Sequence, residues 1–129
     1  MSLARSPAVK KDPRPVLIVD DDPDILEAER QILADHGYQV VSARDGAEAQ
    51  RAVNAGPLPS VIVLDIQMPG LDGPSFARHL RQQLRHVPLV VVTAAPDPRR
   101  EADRCNAEAY LPKPFDADEL LETIGRFAA

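Results

Sequence analysis

The chain has 129 residues, a length that suits one domain with a single hydrophobic core. Its 20 acidic and 15 basic residues give a net charge of −5, which argues against direct nucleic-acid binding by this chain. The single cysteine, Cys105, excludes an internal disulfide and favours a reducing, cytoplasmic location. No apolar run approaches the ~18 residues of a membrane span. Residues 1–14 are polar and rich in proline, so we expect a disordered tail before a domain at 15–129.

Three unbroken apolar runs predict β-strands that are buried on both faces, because each is rich in β-branched residues. They are Val16–Val19, Val61–Leu64 and Leu89–Val92. Tyr38–Ala43 has polar flanks that predict a strand at the edge of the sheet, and Ala107–Leu111 predicts a modest fifth strand.

Aspartates and apolar periodicity predict the helices between these strands. The capping aspartates are the Asp20–Asp22 run, Asp45, Asp72 and Asp116. The first helix is expected to end at His36–Gly37. Its apolar residues repeat at helical spacing, and they are Ile25, Ala28 and Ile32 with the pair Leu26 and Leu33. The second runs to about Asn54, the third buries Phe76, Leu80 and Leu84, and the last buries Leu120, Leu121, Ile124 and Phe127. The fourth, about Arg99–Cys105, is short and weakly periodic.

Strand and helix therefore alternate five times along the chain. Short connections and right-handed crossovers then predict an α/β fold, in which a parallel sheet carries helices on both faces. Among the doubly wound strand orders, 2-1-3-4-5 suits five strands and gives a (βα)5 flavodoxin-like sandwich. Ligands of such folds bind at the carboxyl ends of the strands, at the switch point between strands one and three.

Polar side chains follow four of the predicted strands at this same edge. They are Asp20 and Asp21, Asp65, Thr93 and Lys113. Each alone has an ordinary explanation as a helix cap, turn residue or solvated loop residue. Together, three carboxylates would repel by roughly 4 kcal/mol per pair at about 4 Å in a medium of dielectric near 20, unless a cation lies among them. Oxygen ligands without histidine or thiolate favour Mg²⁺, and a carboxylate beside a hydroxyl and an ammonium can receive a phosphoryl group.

Four motifs resemble the receiver domain of two-component response regulators, the CheY-like family. They are LIVDDD at 17–22, VLDIQMPGLDG at 63–73, VTA at 92–94 and YLPKPF at 110–115. They occur in the family's order and span nearly all of the chain from Pro15 to Ala128. The resemblance implies a module that is phosphorylated by a sensor histidine kinase or a histidine phosphotransfer protein and that then binds a downstream protein of unknown identity.

The resemblance implies a role for each residue at the acidic edge. Asp65 is the expected phosphoacceptor and accepts its phosphoryl group from a phosphohistidine. Asp21 is expected to bind Mg²⁺ directly and Asp20 mainly through water, while Asp65 and the backbone carbonyl of Gln67 complete the protein ligands. The chain would catalyse only its own phosphorylation and dephosphorylation and is not otherwise an enzyme.

Further residues are expected to respond to the phosphoryl group. Thr93 and Lys113 should bind its oxygens, and Tyr110 matches the switch aromatic that turns inward as Thr93 moves. The Lys113–Pro114 peptide bond is expected to be cis. The domain is expected to be a monomer, or a dimer that forms on phosphorylation, with no membrane association.

The region before the fifth strand departs from the family pattern. The stretch from Ala95 to Asn106 is shorter than usual and contains Pro96 and Pro98, and Asn106 stands where glycine is common. Asparagine also tolerates the left-handed conformation. Because these changes affect the fourth helix, part of the usual output face, they leave the output geometry open.

Two other functions compete with a phosphorylated switch. A phosphohydrolase of the haloacid-dehalogenase type uses an Asp-x-Asp pair, which Asp20 and Asp22 match, but it also needs a threonine close behind that this chain lacks. A receiver-like scaffold would bind partners without phosphorylation. Against it stands the presence of every site residue: the acidic pair together with Asp65, Thr93 and Lys113.

Overall fold

The computed structural model describes residues 12–128, which form one five-stranded parallel sheet with five helices. The strands are β1 (Val16–Val19), β2 (Val40–Ala43), β3 (Val61–Asp65), β4 (Leu89–Thr93) and β5 (Ala109–Pro112). The helices are α1 (Pro23–Asp35), α2 (Gly46–Ala55), α3 (Gly73–Gln83), α4 (Pro98–Arg104) and α5 (Ala117–Ala128). The strand order β2-β1-β3-β4-β5 confirms the predicted doubly wound (βα)5 sandwich.

The predicted tail lies almost entirely outside the described residues, since only 12–14 of residues 1–14 are described. The backbone N–H of Asp12 donates to the carbonyl of Ala128 at 3.1 Å, and its carboxylate pairs with Arg14.

Two strands are shorter than the sequence predicted, because the residues before them close the preceding helices. The N–H of Tyr38 bonds to the carbonyl of Leu33 at 3.0 Å after Gly37, whose φ is 88°, so β2 begins only at Val40. Likewise, the N–H of Ala107 bonds to the carbonyl of Ala102 at 2.9 Å, and β5 begins at Ala109. Asn106 has a φ of 54°, the left-handed conformation expected of it.

The aspartates expected at helix N-termini act as caps. The carboxylates of Asp22, Asp45 and Asp72 accept backbone N–H groups in the first turns of α1, α2 and α3. Asp116 and Glu119 bond reciprocally before α5, at 3.0 and 2.8 Å, which is a complete capping box. Helix α4 begins one residue earlier than predicted because Asp97 caps it, bonding the N–H of Arg100 at 3.2 Å.

The core is divided by the sheet into two clusters. Residues of α2, α3 and α4 pack on one face of the sheet and residues of α1 and α5 on the other. Two of the apolar residues at helical spacing in α1, Ile25 and Ala28, are exposed, Ile25 by 41%. The buried stripe of α1 is instead Leu26, Glu29 and Leu33. Among residues 12–128, none of the helices has the length and apolar character to cross a bilayer.

Candidate functional site

Pairing of β1 with β3 brings the carboxylates together at the carboxyl edge of the sheet. Val19 and Leu64 are register partners, so the residues that follow them, Asp20 and Asp65, lie side by side. Both are buried, with 3% and 2% of their surface exposed, while Asp21 is exposed. Carboxylate oxygens of these three aspartates all lie within 4.8 Å of one another.

The pKa of Asp20 is raised, chiefly because burial disfavours its charged form. The neighbouring charges of Asp65 and Asp21 act in the same direction. A hydrogen bond of 2.9 Å from the backbone N–H of Asp22 and the positive charge of Lys113 oppose the rise. The edge of the sheet therefore carries more negative charge than its surroundings stabilise.

Lys113 supplies the positive charge of the site. Its Nζ donates to Oδ2 of Asp65 at 2.8 Å, and Oδ1 of the same carboxylate accepts the backbone N–H of Gln67 at 2.8 Å. Burial lowers the pKa of Lys113, but the hydrogen bond to Asp65 and the charges of Asp20 and Asp21 outweigh it, so the pKa is raised. The lysine is therefore held as an ammonium beside the buried aspartate.

Thr93 ends β4 next to this pair. Asp65 is in register with Val92, so Thr93 projects one residue beyond the aspartate, and it is 1% exposed. Its carbonyl accepts the backbone N–H of Lys113 at 2.9 Å, which ties the ends of β4 and β5 together. The Lys113–Pro114 peptide is cis, the conformation that the resemblance implied.

Tyr110 lies apart from the carboxylates. It lies in β5, opposite Val91 of β4 and three residues before Lys113. Its side chain is half-buried against the hydrophobic cluster on the face of the sheet that α2, α3 and α4 cover. The guanidinium of Arg99 from α4 lies 5.9 Å from the centroid of its ring. The aromatic ring thus contacts the helix whose sequence departs from the family pattern.

Glu29 is a buried carboxylate near the site, and the sequence analysis did not identify it. It is 5% exposed, and burial followed by the charges of Asp20 and Asp65 raises its pKa to about 7, against a partial opposing effect of Lys113. The signal was available, since Glu29 occupies the helical stripe of Leu26 and Leu33 at spacings of three and four residues.

The donor set fits a hard divalent cation. Carboxylate oxygens from three aspartates converge, two of them buried, and one ammonium is paired with only one of them. Oxygen ligands of this type suit Mg²⁺, and its charge would offset the burial and the repulsion from Asp65 and Asp21 that together raise the pKa of Asp20.

A doubly wound sheet with a buried aspartate, an acidic pair and a lysine at its carboxyl edge is the architecture of a signalling receiver module. The chain belongs to the response regulator receiver domain family, whose model matches residues 16–125. It is therefore a receiver domain of the two-component systems.

Known proteins similar to this chain are response regulators. Response regulator MprA of Mycobacterium sp. (strain KMS) is 41% identical over 108 residues, which are 82% of this chain and 46% of that protein. The chain thus spans about half the length of the curated relatives it matches.

Solved structures show the same fold. Chemotaxis protein CheY4 of Vibrio cholerae has a TM-score of 0.80 and 32% identity, covering 88% of this chain and 98% of its own. Response regulator TrrA of Thermotoga maritima, solved in complex with Mg²⁺-BeF, has a TM-score of 0.78 and 31% identity, with the same coverage of 88% and 98%.

Proposed function

We propose that Asp65 is the phosphoacceptor of a two-component phosphorelay. The observation that carries this proposal is a buried carboxylate with an ammonium at 2.8 Å on one oxygen and two further aspartates within 4.8 Å. A structural ion pair alone does not require the additional carboxylates, whose mutual repulsion destabilises the fold. A site that recruits a metal and a phosphoryl group does require them.

In the proposed reaction, an oxygen of Asp65 attacks the phosphorus atom of a phosphohistidine. The O–P bond forms as the P–N bond breaks, and the imidazole leaves with the electron pair. Lys113 balances negative charge on the phosphoryl oxygens, and the hydroxyl of Thr93 donates a hydrogen bond to one of them. Attack of water on the phosphorus atom of the aspartyl phosphate later releases inorganic phosphate and restores Asp65. The domain thus catalyses only its own phosphorylation and dephosphorylation.

Asp20, Asp21, Asp65 and the backbone carbonyl of Gln67 would hold Mg²⁺ in this proposal. When bound, the ion supplies positive charge that stabilises the phosphoryl oxygens during transfer. The structure of TrrA with Mg²⁺-BeF supports the assignment, because beryllium fluoride mimics a phosphoryl group on a carboxylate. The carboxylates of this chain lie at the carboxyl edge of its sheet.

Phosphorylation would act by shifting a conformational equilibrium in which Thr93 and Tyr110 change position. A ligand shifts such an equilibrium only by its differential affinity for the two states. The phosphodonor would be a sensor histidine kinase or a histidine phosphotransfer protein, and the output an unidentified downstream protein, without direct nucleic-acid binding by this chain. The domain would be a monomer or a phosphorylation-dependent dimer.

The proposed receiver domain comprises residues 15–129. A cytoplasmic location agrees with the buried free thiol of Cys105, since reducing compartments preserve such thiols.

The haloacid-dehalogenase alternative finds no support in the geometry of Asp22. That mechanism needs a second free carboxylate two residues after Asp20, whereas the carboxylate of Asp22 caps α1 by accepting the N–H groups of Asp24 and Ile25 at 2.9 and 3.3 Å.

Labelling with radioactive acetyl phosphate tests the proposal. Wild-type protein should incorporate phosphate with Mg²⁺ and none with EDTA, and Asp65→Asn should incorporate none while its circular dichroism stays native. The matched control is Asp45→Asn at the same edge, which should label normally because asparagine also caps a helix. Labelling of Asp65→Asn at the wild-type level would refute the assignment.

A further inference from the structure

Gln67 joins the loops that follow β3 and β4 through two hydrogen bonds. Its backbone N–H donates to Oδ1 of Asp65 at 2.8 Å, and its side-chain Oε1 accepts the backbone N–H of Ala94 at 2.6 Å. The resemblance assigned a role only to the backbone carbonyl of this residue. The exposed side chain, however, connects the loop of the aspartate to the residue that directly follows Thr93.

The bond to Ala94 restrains the segment that carries Thr93. The N–H of Ala95 already bonds to Oγ1 of Thr93 at 3.0 Å, and the carbonyl of Thr93 accepts the N–H of Lys113 at 2.9 Å. The second of these bonds secures the strand end towards β5. The Gln67 side chain provides the corresponding attachment towards β3, so this bond restrains movement of the segment that carries Thr93.

We propose that Gln67 is a positioning residue that tethers Ala94 in the unphosphorylated protein and opposes the movement of Thr93 towards a phosphoryl group on Asp65. This inference rests on the proposed function. A phosphoryl group carries a charge of about −1.5 to −2 and attracts hydrogen-bond donors. The N–H of Ala94 is held only by an exposed, flexible side chain, and so it is the donor that this loop gives up most readily.

The tether therefore lowers the apparent affinity of the site for a phosphoryl group. One exposed hydrogen bond changes such an equilibrium about two- to tenfold. Removing the amide oxygen without changing the backbone should release this restraint, because the backbone N–H of Gln67 still donates to Asp65.

The test compares Gln67→Met, which keeps the side-chain length and removes the acceptor, with Gln82→Met at an exposed glutamine of α3. In two-dimensional amide NMR spectra without ligand, the Ala94 amide should shift upfield and exchange faster with solvent only in Gln67→Met. Titration with beryllium fluoride in saturating Mg²⁺ should give a midpoint about two- to tenfold lower than wild type for Gln67→Met alone.

Two results would overturn the tether: an unchanged Ala94 amide, or a midpoint in Gln67→Met that equals or exceeds that of wild type. Failure of the wild-type protein to bind beryllium fluoride would refute the proposed function, and with it the switching role of Gln67. A titratable wild type with an unaltered Gln67→Met refutes the tether alone, so the two failures are distinct.

Discussion

Asp65 and Glu29 are two buried carboxylates whose surroundings differ sharply. Asp65 has an ammonium at 2.8 Å and a backbone N–H on its other oxygen. Glu29 is buried next to the charges of Asp20 and Asp65, and none of the hydrogen bonds found within residues 12–128 involves its carboxyl group. The fold therefore gives the first carboxylate two hydrogen-bond donors, whereas burial penalises the ionised form of the second.

Glu29→Gln should stabilise the metal-free protein at alkaline pH. The pKa of Glu29 rises from 4.5 to about 7 on folding, so between these values the folded state binds more protons than the unfolded state. Stability from this group is therefore present at low pH and lost as pH rises towards 7, by about 3 kcal/mol at 1.36 kcal/mol per pKa unit. Urea unfolding in EDTA at pH 5 and pH 8 measures the difference.

The variant should match wild type near pH 5 and exceed its free energy of unfolding near pH 8. Glu122→Gln, at an exposed carboxylate of α5, is the control and should follow the wild-type pH dependence. An identical pH dependence for wild type and Glu29→Gln would contradict the assigned burial of charge.

The sequence predicted which residues meet at the carboxyl edge of the sheet, because the strand order decides which strand ends are neighbours. Once β1 and β3 are adjacent, Asp20 and Asp65 must lie together. The hydrogen bond of the Gln67 side chain to Ala94 had no such signal, since it depends on the conformations of two loops 27 residues apart. Glu29 was overlooked for another reason, because apolar periodicity identifies only apolar members of a stripe.

At the scale of elements, the loop from β3 to α3 is positioned by close packing at Gly73. A Cβ atom at this position would lie 2.6 Å from the carbonyl oxygen of Ile66 and 2.7 Å from its Cβ. Ile66 has little freedom to move, because its N–H bonds to the carbonyl of Val92 at 3.2 Å and it lies between Asp65 and Gln67. The glycine thus sets where the acceptor loop meets α3.

Gly73→Ala should therefore destabilise the protein by about 1 to 3 kcal/mol, the usual cost of forcing extra volume into packed structure. Gly125→Ala in α5 is the matched control, because its Cβ would meet nothing closer than the Tyr38 hydroxyl at 3.9 Å. In the control, helix propensity predicts a change between zero and a gain of about 1 kcal/mol. Urea unfolding measures the free energy of unfolding of both variants. A Gly73→Ala variant as stable as wild type would show that the packing at this glycine is not close.

The ends of the helices and strands were harder to predict from the sequence than their presence. The residues before β2 and β5 close the preceding helices through their backbone N–H groups, so Tyr38 and Ala107 belong to helix ends although the sequence placed them in strands. Burial within a helix was also hard to predict, since Ile25 and Ala28 have helical spacing but are exposed. Helical spacing defined a broad apolar stripe on α1, whereas the fully buried face is the narrower one of Leu26, Glu29 and Leu33.

For the molecule as a whole, the proposed Mg²⁺ site predicts that the ion stabilises the folded state. Mg²⁺ that binds only the folded state should raise the melting temperature, since 100-fold excess over the dissociation constant stabilises by about 2.7 kcal/mol. Asp21→Asn should lose most of this rise because it removes a carboxylate of the cluster. Thermal unfolding with Mg²⁺ and with EDTA measures the shift.

Asp24→Asn is the control for the metal measurement, as its exposed carboxylate lies outside the cluster. It should keep the wild-type response to Mg²⁺. An equal Mg²⁺ response in wild type and Asp21→Asn would place the ion elsewhere.

The proposed function depends on one covalent event, transfer of a phosphoryl group to Asp65. Borohydride reduction of the acetyl phosphate-treated protein converts an aspartyl phosphate into homoserine, and peptide mass spectrometry then locates the converted residue. We expect conversion at position 65 alone, dependent on Mg²⁺ and absent from untreated protein. Conversion at another aspartate such as Asp20, or no conversion in a folded protein saturated with Mg²⁺, would contradict phosphorylation at Asp65.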